Sequence, residues 1–220
     1  LFGGLLMVNG IIGMRIFSLF IFLIIPGLLL AVPSSIHAEK NTLFEEESVY
    51  NYIRVIEYED GVRELVTNEG LGVQSRQHPT EVLTGAYWDG VALLPVLNPE
   101  GENFLIIGAA GSSSARVLQY FFPYLRLTGV EIDPLMIKVG KTFFAQNRGA
   151  MEIIEADGRV FLGRCNGRED FDFVMVDVYR DELFIPFHLT TAEFFNAVSR
   201  CLTPNGAMVM NVAASTPDSE

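Results

Sequence analysis

The chain is poor in the residues that hold metals and disulfide frameworks. It has two cysteines, Cys165 and Cys201, and three histidines, His37, His78 and His188, in 220 residues. The cysteines lie far apart without C-x-x-C spacing. No disulfide framework or zinc site is implied, and both are expected as small, reduced, partly buried residues. The histidines have no ligand spacing either, so no metal is expected. Positive charge is also scarce: 15 Lys and Arg stand against 27 Asp and Glu, a formal net charge of −12. That excludes nucleic acid as a partner, because phosphates demand a basic surface. It is compatible with a small cationic amine as substrate.

Half the residues are hydrophobic, a figure inflated by the first 33, whose one charge is Arg15. Ile16 to Val32 is an apolar run interrupted by Ser18 and Pro26, near the lower limit of roughly 17 residues for a span. From Met14 the same stretch has the form of a signal peptide ending at Ala38. Residues 1–38 therefore admit two readings: an N-terminal hydrophobic helix anchoring the chain in a membrane, or a leader for export. Arg15 ahead of the run favours export of the residues beyond it. The chain begins with Leu1, and residues 1–13 are expected as the tail of an earlier span.

Beyond this segment the patterning is that of a soluble α/β chain. "EKNTLFEEES" (39–48) reads as an acidic linker. From 49 to 75 residues alternate in a strand-like way, with "EDG" (59–61) and "NEG" (68–70) as turns, so a small antiparallel β unit is expected there. Residues 79–97 read as an amphipathic helix. Strands are expected at 103–108, 126–132, 151–156, 171–177 and 206–212. Helices are expected between them, at 113–122, 134–146, 158–164 and 190–202. Short apolar runs separated by helices mean a parallel sheet covered on both faces, a Rossmann-like doubly wound fold. The expected domains are 1–38, 39–78 and 79–220, the last lacking one or two further strands.

The chemistry-bearing residues lie at strand ends. "LIIGAAGSSSARVL" follows the first strand and opens a helix. Gly108 and Gly111 permit a tight turn, with Ser112 or Ser113 as N-cap. Glu131 ends the second strand, 20 residues after Gly111, where an acid binds ribose hydroxyls. Asp157-Gly158 ends the third, where a carboxylate can take an adenine amino group. No Lys or Arg flanks the turn, which favours an S-adenosyl ligand over a pyrophosphate. "VMVDVYRDELFIPFHLTT" (174–191) then puts Asp177, Tyr179, Asp181 and Glu182 at and after the end of the fourth strand. His188 reads as loop packing, and Tyr87, Trp88 and Phe187 as core or site walls.

Together, "ESVYNYIRVIE" (47–57), "IIGAAGSS", "GVEIDP" (129–134), "EADGRVFL" (155–162) and "FDFVMVD" resemble the polyamine aminopropyltransferases, the spermidine synthase family. "IPFHLTTAEFF" and "CLTPNGAMVMNV" resemble its divergent members, some fused to membrane domains. The resemblance covers 47–213 and implies the methyltransferase-type Rossmann fold. It implies decarboxylated S-adenosylmethionine as co-substrate and a diamine such as putrescine as acceptor. Glu131 would hold the ribose, Asp157 the adenine, and Gly108 and Gly111 the methionine-derived chain. Asp177 would be the base, with Gln74, Tyr179 and Asp181 toward the amine. The sequence departs from the family in three places. Gly111 stands where the glycine loop has an Asp, and Asp177 to Asp181 is one residue longer than the D-x-x-D-P loop. The family's Tyr-His-Glu is absent, replaced by "HPTEVLTGAYWDG". These departures keep two alternatives open: a methyltransferase using intact S-adenosylmethionine, and a non-catalytic, membrane-associated adenosyl-binding domain. Adenosyl donors are cytosolic, so an active, membrane-anchored enzyme would face the cytoplasm. A homodimer is among the assemblies left open.

Overall fold

The computed structural model describes residues 41–68, 70, 72–144, 151–165, 170–180 and 184–212. The chain divides into Leu1–Lys40 and Asn41–Glu220. The anchor and leader readings of residues 1–38 lie outside the described residues, as do Asp181 and Glu182. Among the described residues no helix is long and apolar enough to cross a membrane.

Four strands form an antiparallel sheet in the order β1-β2-β3-β4: β1 Thr42–Glu47, β2 Tyr52–Glu57, β3 Arg63–Thr67 and β4 Val73–Gln77. Val55 of β2 faces Leu65 of β3 in register. Ile53, Val55 and Leu65 are fully buried and pack against Met136, Val139 and Phe144. β1 corrects the linker expected at 39–48. Its glutamates sit on an edge strand, where one side of the sheet is open to water and polar side chains carry no penalty. Phe44 anchors the strand by a tilted ring contact with Phe143.

The expected helix at 79–97 is also corrected. The structure shows turns, a 3-10 helix at Tyr87–Ala92, and a short helix α1 at Leu93–Leu97. The Asp89 carboxylate accepts from the N–H groups of Thr84 and Gly85 at 2.9 and 2.7 Å. Those donors are thus satisfied by a side chain, and a continuous helix is interrupted.

From residue 103 the expected alternation is observed. β5 Asn103–Ile107, α2 Ser113–Phe121, β6 Arg126–Glu131, α3 Pro134–Phe143, β7 Met151–Glu155, α4 Gly158–Leu162, β8 Phe171–Val176, α5 Ala192–Cys201 and β9 Leu202–Met210 succeed one another along the chain. The five strands pair in parallel in the order β7-β6-β5-β8-β9. Central β5 is buried on both faces. Leu105 and Ile107 pack with α4 and α5, and Phe104 and Ile106 with α2 and the 3-10 helix. Strand order reverses at β5, so the ligand crevice of such a sheet opens at the C-terminal ends of β5, β6 and β8.

Two local expectations change. Pro204-Asn205-Gly206 is no turn ahead of the last strand. It lies within β9 as an irregularity, the pairing stepping from Phe171↔Leu202 to Phe173↔Ala207. The cysteines are not reduced thiols: Cys165 and Cys201 form a disulfide, with Cα atoms 5.3 Å apart. They are 36 residues apart in sequence, but α4 and α5 cover the same sheet face, which brings the ends of both crossovers together.

Candidate active site

Gly108 follows directly after β5, at φ +88°, and its N–H donates to the Val130 carbonyl of β6 at 2.9 Å. A Cβ there would collide with the Asp177 carbonyl and meet Val178 Cγ1 at 2.8 Å. Glycine is therefore what lets the ends of β5 and β8 close together at the floor of the crevice. The next residues carry strain at the site: Ala110 and Ser112 have φ of +39° and +62°. Neither Ser112 nor Ser113 caps α2 with its side chain, which corrects the N-cap expectation. The Ser112 hydroxyl donates to the Ala109 carbonyl. The Ser113 hydroxyl donates to the Arg76 carbonyl and accepts from the Arg76 N–H, stitching α2 to β4.

A cavity of about 140 Å³ opens at this sheet edge. Glu131, Asp157, Gly158 and Asp177 line it together with Gly108. Gln74 and Tyr179 also reach it. Gly111 does not line this cavity: it is buried beneath β4, donating its N–H to Ser75 Oγ at 3.0 Å, and a Cβ would meet Ser75 Cβ at 2.7 Å. Its glycine serves the packing of β4 on the loop.

Glu131 is held by three backbone donors. Its Oε2 accepts from Ala110 N–H at 3.0 Å, and its Oε1 from Ile132 and Asp133 N–H at 2.9 and 3.1 Å. Burial pushes its carboxyl above the usual range, against the lowering effect of those hydrogen bonds. Neighbouring Asp133 is fully buried, caps α3 through Leu135 N–H, and accepts from the Ser48 hydroxyl at 2.6 Å. It thereby ties the segment before β2 to the Rossmann unit.

Asp157 caps α4, its Oδ1 accepting from Val160 N–H at 3.0 Å. Its Oδ2 lies 3.4 Å from His188 Nε2. His188 was expected as loop packing; the structure puts it on the cavity wall opposite that acid. Its carbonyl accepts from Arg159, which fixes the 186–189 loop over α4.

Asp177 follows directly after β8, its N–H donating to the Ile107 carbonyl at 2.8 Å. Its Oδ2 accepts from the Tyr87 hydroxyl and its Oδ1 from Asn211 Nδ2, both at 3.0 Å. Burial raises its pKa, and the two hydrogen bonds oppose that rise by favouring the carboxylate. The Tyr87 hydroxyl is pushed upward in turn by burial and by the Asp177 charge, so it stays a donor. Tyr87 and Asn211 also line a second cavity of about 370 Å³, beside Gln74, Trp88 and Tyr179. Asp177 lines the first cavity, and the two residues that hold it line the second. Phe187, expected as a wall, is 82% exposed and lines neither.

Asn211 and the Tyr87–Asp177 bond were not legible as site features. Asn211 had a signal: a polar residue closing the apolar strand "AMVM" at the sheet edge that carries Asp177. Tyr87 reads in the sequence as a core or site wall, but its bond to Asp177 had no signal, since the 3-10 helix that delivers it was expected as part of a longer helix.

Sheet order, glycine turn and acids at the ends of β6, β7 and β8 define a Rossmann-like fold of the S-adenosylmethionine-dependent methyltransferase type. Within that class the chain belongs to the spermine/spermidine synthase family, whose domain model matches residues 89–216. It is 35% identical over 174 residues to a probable polyamine aminopropyl transferase of Bifidobacterium longum, covering 79% of this chain and 38% of that protein. It is 28% identical over 184 residues to a polyamine aminopropyltransferase of Vibrio vulnificus, covering 81% of this chain and 61% of that one. The chain therefore spans about two fifths to three fifths of the length of these relatives. Among solved structures, a probable spermidine synthase from Corynebacterium glutamicum superposes with a TM-score of 0.64 at 19% identity. The match covers 76% of this chain and 62% of that one, a likeness of fold.

Proposed function

We propose that this protein transfers the aminopropyl group of decarboxylated S-adenosylmethionine to an amine, with a diamine such as putrescine as the family acceptor. One observation carries the reading. Asp177 lines a cavity edged by Glu131 and Asp157, and Tyr87 and Asn211, which hold it, line a second cavity walled by aromatics. The family membership supports it.

The donor's ribose would be held by Glu131, with its adenine near Asp157 and His188 and its sulfonium end toward Gly108 and Asp177. The acceptor enters from the second cavity. Its amine nitrogen attacks the aminopropyl carbon bonded to sulfur. The C–S bond breaks, its electron pair stays on sulfur, and neutral methylthioadenosine leaves. The amine's proton goes to Asp177. A carboxylate whose pKa is raised by burial is a better base for this step than an exposed one. Holding both reactants in line converts a bimolecular displacement into a unimolecular one. Gln74 and Tyr179 border both cavities and would orient the reacting ends. Asp181 lies outside the described residues, and the family resemblance alone supports a role for it toward the amine.

Isothermal titration with intact and decarboxylated S-adenosylmethionine, followed by product analysis with putrescine, tests the reading. Tighter binding of the decarboxylated form and an aminopropylated product are expected. Preference for the intact form with methyl transfer overturns it. We also place the enzyme at a membrane through residues 16–32, its catalytic part toward the cytoplasm where adenosyl donors are made; against this stands the Cys165–Cys201 disulfide, a bond typical of oxidising compartments. Protease protection of the full-length protein in intact cells is the expected result, and cleavage from outside overturns that placement.

A further inference from the structure

We propose that the preferred acceptor is an amino acid, an amine carrying a carboxylate at its far end, with Arg76 as the residue that selects it. The inference rests on the aminopropyltransferase reading and refines its substrate class. The second cavity is lined by Gln74, Tyr87, Trp88, Tyr179 and Asn211, and also by Arg76, the one charged side chain among its described lining residues. Asp177, which both Tyr87 and Asn211 contact, marks the end where the reacting amine must lie. An acceptor of extended shape then carries its other end along a cavity whose charge is a guanidinium.

Arg76 is built to present that guanidinium. Its backbone N–H donates to Ser113 Oγ at 2.8 Å and its carbonyl accepts from the same hydroxyl at 3.0 Å, pinning β4 at this residue. Its Nε donates to Glu64 Oε1 at 2.7 Å, and Nη2 pairs with the same oxygen. Glu64 is 6% exposed, and its Oε2 accepts from the Tyr58 hydroxyl at 2.8 Å. The carboxylate is thus spent on Arg76 and Tyr58, behind the cavity lining. Glu64 engages the Nε and Nη2 atoms, and the Arg76 side chain remains 37% exposed. A planar guanidinium with one edge fixed by a buried acid is pre-organised to receive a carboxylate on another edge. A second ammonium finds no carboxylate among the described lining residues of this cavity, because Glu64 lies behind them, paired with Arg76 and Tyr58. The aromatic walls of Tyr87, Trp88 and Tyr179 suit the methylene chain between the two ends.

The test compares three acceptors of one chain length with the full-length protein and decarboxylated S-adenosylmethionine. These are putrescine, 4-aminobutanoate and butylamine, followed by methylthioadenosine release and by mass spectrometry of the aminopropylated product. kcat/KM for 4-aminobutanoate is expected to exceed that for each of the others by at least tenfold. Arg76→Gln should erase that preference through KM for 4-aminobutanoate, with donor affinity by titration showing the fold intact. Arg76→Lys should keep part of it. A preference for putrescine in the unaltered protein overturns the inference while leaving the transferase reading intact. So does equal use of butylamine and 4-aminobutanoate, or an acceptor ranking unchanged in Arg76→Gln. No methylthioadenosine with any of the amines overturns the transferase reading itself, and this inference with it.

Discussion

The Tyr87 hydroxyl donates to Asp177 Oδ2 at 3.0 Å across 90 residues of chain. One partner comes from a 3-10 helix ahead of the parallel sheet and the other from the end of its fourth strand. The bond ties a wall of the second cavity to the acid, and it makes the protonation state of Asp177 a property of the tertiary structure.

Asp177→Asn should lower turnover by about 100-fold or more, the usual contribution of a general base. Donor affinity by calorimetry should be nearly unchanged. Thermal stability should not fall. The folded pKa of Asp177 is raised, so ionising it costs stability. That cost is absent below the ordinary aspartate value of about 3.9 and fully present above the raised folded value. Near neutral pH the Asn variant escapes it. Unchanged turnover would remove Asp177 from the mechanism.

Tyr87→Phe and Asn211→Ala each remove a hydrogen bond that favours the Asp177 carboxylate. Each should raise the Asp177 pKa further. Activity requires the ionised base, so it falls as pH falls through that pKa. The acid limb of the kcat/KM profile should therefore move to higher pH in both variants. A limb that stays in place while the rate drops would mean these residues act only in packing.

Glu131→Gln should weaken donor binding by roughly 10- to 100-fold, in line with about 1.5–3 kcal/mol for hydrogen bonds to a charged group. The effect should appear in KM for the donor, with kcat at saturation largely kept. Steady-state kinetics over a range of donor concentrations separates the two. A loss confined to kcat would place Glu131 elsewhere in the reaction.

The Cys165–Cys201 bond closes a 36-residue separation between two crossovers on one sheet face. Removing such a cross-link typically costs about 3 kcal/mol, chiefly through the unfolded chain. For a domain of this size that corresponds to a melting temperature roughly 6–12 °C lower. Cys165→Ser with Cys201→Ser, or reduction with dithiothreitol, should show the drop by calorimetry. No change in either would mean the bond carries no stability.

Much of the site could be read from the chain because its determinants are local. Glu131, Asp157 and Asp177 each end an apolar strand run, and parallel strands deliver their C-terminal ends to one edge. Order along the chain then becomes proximity in space. Gly111 shows what local pattern leaves out. In sequence it belongs to the glycine turn, but β4 folds down on it, and its N–H donates to Ser75 Oγ. β1 was hidden because its glutamates match an exposed edge strand as well as a linker.

By itself the sequence determined the parallel sheet, its crossover helices and the three acids at its edge. Those depend on hydrophobic period and on which residues a strand places last. Only the tertiary structure decided that Tyr87 and Asn211 hold Asp177, that Cys165 meets Cys201, and that Arg76 lines the second cavity. Each of these joins segments tens of residues apart whose local patterns carry no trace of one another. The contacts exist because burying the two sheets and their helices together leaves those side chains nowhere else to go.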